Sequence, residues 1–162
     1  MSLIVELGGG DNPAANAYVD LGFANAHHAL RGRDGWAEAT ETARTAALLA
    51  ATEHLDSAFA WKGSRKLASQ PLAWPRRDAR DAEGALQTLV PDIVRRACAE
   101  LALRALDGPL APDIAPGGQP LREKAGEVEI AYAPGASPLP RHPAIERLLA
   151  GLVRPPDPLE RA

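Results

Sequence analysis

Apolar residues return at spacings of three and four along two long stretches of the chain, and that periodicity predicts helices. The clearest stretch runs from Thr40, placed as its N-cap, to about Phe59 without a glycine or proline. Leu48, Ala51, Leu55, Ala58 and Phe59 form its apolar stripe, while Glu41, Arg44, Glu53 and Asp56 fall elsewhere on the cylinder. About 20 helical residues span roughly 30 Å, enough for the spine of a small domain. A later helix starts after Val90-Pro91-Asp92, with Asp92 near the positive end of the helix dipole, and is closed by Asp107-Gly108-Pro109. Its stripe is Val94, Ala97, Cys98, Leu101, Ala102 and Ala105, and Glu100, with Arg96 and Arg104 four residues to either side, marks a solvated ion-pair face. An earlier helix, capped by Asp20 and stopped by Gly32, places Phe23, Ala26, His27 and Leu30 on one face.

Between these helices the pattern is broken. Leu3 to Leu7 reads as a short strand or extended arm, halted by Gly8-Gly9-Gly10-Asp11-Asn12-Pro13. Residues 63–91 are irregular, punctuated by Pro71, Pro75, Gly84 and Pro91, and residues 109–119 read as a loop. Val128, Ile130 and Tyr132 alternate with Glu129 and Ala131, which predicts a β-hairpin together with Leu121 to Lys124. A short helix from Pro143 to about Leu152 follows, then a proline-rich tail. The expected fold is mainly α: a small bundle of about four helices with one β-hairpin and extended N- and C-terminal arms. Residues 1–153 form one domain, with its hairpin near 120–132, and residues 154–162 an extended tail. No internal repeat is evident.

Composition sharpens this picture. Of 162 residues, 46% are hydrophobic, but many are alanine and only 4% are aromatic, so the core is thin. Such a chain leans on neighbouring copies for part of its stability. The net charge of −3 gives no overall basic excess of the kind that neutralises phosphates. One cysteine, Cys98, makes neither an intrachain disulfide nor a structural zinc site. No charged segment followed by an apolar stretch opens the chain, and no apolar run approaches the ~20 residues that cross a bilayer. A soluble protein of a reducing cytoplasm, without membrane partners, is expected.

The search for chemistry returns little. His27, His28, His54 and His142 lack the spacing of a metal site, and His27 and His28 point about 100° apart on a helix. Ser57, Ser64 and Ser69 lack a nucleophile-elbow context. Cys98 sits in an apolar stripe, as a buried inert thiol does. Gly8-Gly9-Gly10 lacks the Gly-Lys-Ser/Thr that completes a phosphate loop. No enzymatic activity, cofactor or metal is expected. The one basic, aromatic region joins Trp61, Lys62, Arg65 and Lys66 to Trp74-Pro75-Arg76-Arg77 and Arg80. It reads either as a stacking and phosphate-contact platform for single-stranded nucleic acid, or as two tryptophans plugging an alanine-rich core with arginines facing solvent or a partner.

The ordered set of segments carries a resemblance over nearly the whole chain, from Leu3 to about Leu152. Its carriers are Ala15-Asn16-Ala17-Tyr18-Val19, His28-Ala29-Leu30-Arg31-Gly32, Ala51-Thr52-Glu53-His54-Leu55-Asp56, Trp61-Lys62-Gly63-Ser64-Arg65, Gln70 to Arg76, Val90-Pro91, Glu100-Leu101-Ala102, and Arg122-Glu123-Lys124 with the strand ending in Tyr132. The chain resembles the head–tail connector (adaptor) proteins of long-tailed phages and gene-transfer particles, a group also labelled putative DnaT-like single-stranded-DNA-binding proteins. The resemblance implies a virion structural protein, one subunit of a dodecameric ring in the neck between head and tail, assembled in the host cytoplasm. Its partners would be copies of itself, the portal protein and a tail-completion or stopper protein, with genomic double-stranded DNA passing through the channel without sequence-specific binding. The candidate interface comprises Trp61, Trp74, Arg76, Arg77, Arg122, Lys124, Tyr132, Arg154, Pro155 and Pro156. The alternative is a single-stranded-DNA-binding protein acting in phage replication.

Overall fold

The computed structural model describes residues 2–112, 122–125, 128–131 and 141–155. It has five helices among these residues: α1 (Leu21–Ala29), α2 (Asp34–Glu38), α3 (Glu41–Ala58), α4 (Asp92–Ala105) and α5 (Pro143–Leu149). Two short antiparallel pairs accompany them, β1 (Ser64–Arg65) with β2 (Arg76–Arg77), and β3 (Arg122–Ala125) with β4 (Val128–Ala131). The mainly α fold expected from the pattern is therefore present.

Local chemistry sets the helix ends. The Asp20 carboxylate accepts from the Phe23 amide at 2.7 Å, and the Thr40 hydroxyl from Ala43 at 3.2 Å. Each satisfies an amide that the first helical turn leaves without a partner. α3 then runs unbroken for 18 residues and stops at Phe59, whose backbone is extended.

The core lies where α4 meets α3, α1 and α5. Leu48, Ala51 and Leu55 of α3 and Val94, Ala97, Cys98, Leu101 and Ala102 of α4 are all fully enclosed. Alanines at these positions let the helix backbones approach closely, and dense packing then supplies what a small side chain cannot. Thr52 is carried inside by donating its hydroxyl to the Leu48 carbonyl at 2.9 Å. α5 closes the bundle with Ile145 and Leu149, followed by Leu152.

Three expectations change. The inward face of α1 is Ala24, His27 and His28, while Leu30, which the periodicity places inward, is 85% exposed at the C-cap. The stretch between Gly32 and Thr40 contains a further short helix, α2, which buries Trp36. Leu3 to Leu7 forms no strand; a single bridge joins Val5 to Ala17, with Glu6 N donating to Ala17 O at 2.9 Å.

The chain divides into two compact units, one of Met1–Leu110 with Pro143–Ala162 and one of Ala111–His142. The second contains the expected hairpin, in a register that pairs Arg122 with Ala131, Glu123 with Ile130, Lys124 with Glu129 and Ala125 with Val128. No described helix is long and apolar enough to cross a membrane.

Candidate nucleic-acid interface

Beyond the C-terminal end of α3 the chain makes a tight, cation-rich turn. Residues 61–80 carry Lys62, Arg65, Lys66, Arg76, Arg77 and Arg80 against Asp78 alone, a local charge of +5 in a chain whose total is −3. The far end of the chain is stitched to this segment. Lys62 N donates to Leu152 O at 2.9 Å, Arg154 N donates to Ala60 O at 2.7 Å, and Trp61 bridges Val153. Arg154 thereby joins the cluster.

Gly63 is the hub. Its φ is +68°, and a Cβ there would lie 2.1 Å from the Arg77 carbonyl oxygen and 2.8 Å from the Ala79 nitrogen. Only glycine lets the backbone runs on either side of the β1–β2 pair come this close. The Gly63 carbonyl accepts from two guanidiniums, Arg76 Nη2 at 2.9 Å and Arg154 Nη2 at 3.2 Å. Arg76 is further tied to the Lys62 carbonyl at 2.6 Å and the Ala73 carbonyl at 3.0 Å. Arg77 donates to the Lys66 carbonyl, and Lys66 Nζ to the Gly8 carbonyl at 3.0 Å.

Across the ladder Arg65 stands directly opposite Arg76, a like-charge pairing that weakens a strand pair. Burial, and then the charges of Arg154 and Arg65, press the Arg76 guanidinium below its usual range. None of the ion pairs among the described residues involves Arg65, Arg76, Arg77 or Arg154. The nearby acid, Asp56, is already committed: it accepts from the Tyr18 hydroxyl and, at 2.9 Å, from the Ala73 amide. Burial raises the Asp56 carboxyl above its ordinary value in spite of those bonds. Asp56 feels the charges of Arg65 and Arg76, but one buried carboxyl leaves three guanidiniums under-compensated, and an external anion would relieve their mutual repulsion. A backbone phosphate has the charge and the acceptor oxygens for that role.

The tryptophans take no part in the surface. Trp74 is fully enclosed and Trp61 is 4% exposed, their rings meeting edge to face at 5.6 Å. Trp61 Nε1 donates to the Leu55 carbonyl at 3.1 Å. Of the two sequence-based readings of this region, the core plug holds and the stacking platform does not, because neither indole offers a face to a base. Arg77, Arg154 and Pro155 are exposed and Arg76 is half-buried. Arg122 and Lys124 lie on β3, in the second unit, while Tyr132 and Pro156 fall outside the described residues.

A second polar cluster was not legible as such. His27, His28 and Glu100 bring ligand atoms within 4.8 Å of one another, because α4 delivers Glu100 to the inner face of α1. Glu100 pairs with His27 at 3.0 Å, Arg104 at 3.2 Å and Arg31 at 3.8 Å, whereas Arg96 turns to Asp92 at 3.0 Å. The carboxylate is half-buried, so the expected solvated face is an inter-helix ion pair instead. Burial alone would raise Glu100, but the bonds from His27 and Arg104 hold it below the usual carboxylate value. A dication here would compete with the guanidiniums of Arg31 and Arg104, and with His27, for one carboxylate. The chemistry of the donor set suits a structural bridge better than a metal centre.

Two other candidates resolve in the same way. Burial pushes the Cys98 thiol up to about 12, so it is a poor source of thiolate. The glycine-rich turn does bind an anion, but that anion is its own Glu6: the buried carboxylate accepts from Gly8 N at 2.6 Å and Gly10 N at 3.0 Å.

A family model described as "Putative DnaT-like ssDNA binding protein" matches residues 1–160. No curated protein and no solved structure matches the chain.

Proposed function

The chain belongs to this DnaT-like family, and on that premise we propose that it is a non-catalytic protein that holds single-stranded DNA by its phosphates. The observation that carries the reading is the convergence of the Arg76 and Arg154 guanidiniums on the Gly63 carbonyl, with Arg65 opposite Arg76 across the β1–β2 ladder and no carboxylate among the described residues in ion-pair contact with any of the three. Arg76, tied to three carbonyls, positions the cluster, while exposed Arg65, Arg77 and Arg154 meet the strand. With no indole face beside them, the contact is independent of sequence.

The test is fluorescence anisotropy of a labelled oligothymidine at several salt concentrations. About three phosphate contacts give a slope of log K on log salt near −2, and each cation removed lowers its magnitude by roughly 0.7. Arg65→Gln with Arg154→Gln should therefore bring the slope to about −0.7 and weaken binding severalfold. Absence of binding at low salt, or an unchanged slope in the double variant, refutes the assignment.

A different observation favours a second reading. Leu7, Leu30, Leu86 and Leu89 are 86%, 85%, 47% and 59% exposed, and Leu89 lies against Gly8, which leaves an apolar surface at the glycine-rich turn. That surface suits a subunit that completes its burial against neighbours, as the resemblance to head–tail connector rings implies. On this reading the partners are eleven further copies, the portal and a tail-completion protein, the location is the virion neck, and the basic cluster faces duplex DNA. Light scattering over a range of concentrations separates the two: a closed ring lost in Leu89→Asp supports the connector, and a monomer at all concentrations removes it. Electron microscopy of particles made without this protein gives the matching test, with separated heads and tails the outcome the connector requires.

A further inference from the structure

At the opposite end of α3 from the basic turn, α1, α2 and the start of α3 border an open pocket of about 340 Å³. Asn25, His28, Arg33, Trp36, Ala37 and Arg44 are among its walls, and Asp34 stands with Arg33 at its edge. The His28 ring, 1% exposed, tilts against Trp36 with centroids 4.7 Å apart. Its Nε2 lies 3.0 Å from the Ala99 carbonyl oxygen, which can only accept, so the proton sits on Nε2. Burial keeps the ring neutral by lowering its pKa. Nδ1 therefore carries a lone pair, and it is buried without a hydrogen-bond partner among the described residues.

The complementary group is close at hand. Arg44 donates through Nη1 to Asn25 Oδ1 at 3.0 Å, an oxygen that also accepts from Trp36 Nε1 at 2.9 Å. Arg44 Nε, however, is buried with no acceptor. Of the residues that line this one pocket, His28 thus holds an orphaned acceptor and Arg44 an orphaned donor, both buried, and leaving either unpaired is costly. A planar ligand that offers an N–H beside a carbonyl answers both. A volume near 340 Å³ is at the small end of the range for such sites.

We propose that this pocket seats one unstacked base of a bound strand, read by the N–H and C=O edge that thymine and guanine present. The proposal rests on the single-strand reading above and adds the place where a base, as distinct from a phosphate, is held. α3 has 18 residues and so separates the pocket from the Gly63 cluster by about 27 Å, a span that a strand of several nucleotides covers. The arrangement puts the phosphate grip at one end of α3 and base contact at the other.

The experiment compares a 12-residue oligothymidine with an abasic strand of the same length and charge, by anisotropy, on the full chain. Because His28 is a core residue, the variant is Ala37→Phe, which adds a ring at an exposed pocket wall and removes no core contact. The expected result is at least tenfold tighter binding of the thymidine strand, reduced to the abasic value in Ala37→Phe, with the abasic strand unaffected. Equal affinity for the two strands overturns the pocket while leaving the phosphate grip standing. A base preference that survives Ala37→Phe also overturns it, since the base is then held elsewhere. Failure of both strands to bind removes the single-strand reading and the pocket with it.

Discussion

Replacing Gly63 with alanine tests the architecture of the basic turn directly. A β-carbon there would lie 2.1 Å from the Arg77 carbonyl oxygen and 2.8 Å from the Ala79 nitrogen, both backbone atoms that no side-chain rotation can clear. The backbone at φ +68° also strains any residue with a β-carbon, by about 1–3 kcal/mol. Prying the β1–β2 pair apart adds to that strain, for a combined loss of about 3 kcal/mol. In a chain of this size that loss lowers Tm by roughly 6–12 °C. Gly32→Ala is the control, for φ there is +59° but the new β-carbon meets nothing within 4 Å. It should show the strain alone, about 1 kcal/mol or 2–4 °C. Thermal melts followed by circular dichroism give both numbers, and oligothymidine affinity reports the loss of the Arg76–Arg154 convergence in the Gly63 variant. If Gly63→Ala costs no more than Gly32→Ala, the close backbone approach is not what this glycine provides and the reasoning fails.

Three further outcomes follow from the buried polar groups. His28, depressed below 6.5 in the folded state, contributes stability present above that pH and lost as pH falls through its folded value; Glu100, depressed below 4.5, adds a second loss at lower pH. Melts between pH 8 and 2 should therefore fall in two phases, against an opposite trend from the raised carboxyl of Asp56, and Glu100→Gln should abolish the lower phase. Tyr18→Phe removes the hydroxyl shared by Asp56 and the Trp74 amide; a loss of about 2–3 kcal/mol in urea unfolding is expected, and one below about 0.5 would show the network to be dispensable. The Cys98 thiol should resist alkylation at pH 8 in the native chain and react stoichiometrically in urea, whereas prompt native labelling would contradict its enclosure between α3 and α4.

The parts of this molecule legible in its sequence are those decided within a few residues. Thr40 and Asp20 cap helices through their own side chains, and the Val94-to-Ala102 stripe faces inward because 3.6 residues make a turn. What the sequence concealed depends on distant partners. α1 turns His27 and His28 inward, and Leu30 outward, because Glu100 and the Ala99 carbonyl wait on α4. The β1–β2 pair is two residues long on each side, too short to show alternation. Trp61 and Trp74 admit a place in the core, the commoner one for tryptophan, or against a base, and composition cannot say which way an indole faces. The proline-rich surroundings of Arg154 predict a tail, whereas backbone pairing with Ala60 makes it part of the cluster. The pocket beside Trp36 gave no sign at all, since its walls come from three separate helices.

The stitching of residues 152–154 to residues 60–62 also orders events in time. Arg154 lies 74 residues beyond Arg80, and at about 5–20 residues per second a ribosome needs roughly 4–15 s to cover that distance. Helices fold in microseconds, so α3 and α4 can pair long before Arg154 emerges. A nascent chain therefore displays its cationic turn without the last guanidinium and without the pairing that fixes it. On the proposed reading, the grip on a polyanion is completed only once Arg154 has emerged, after α3 and α4 have had time to pair.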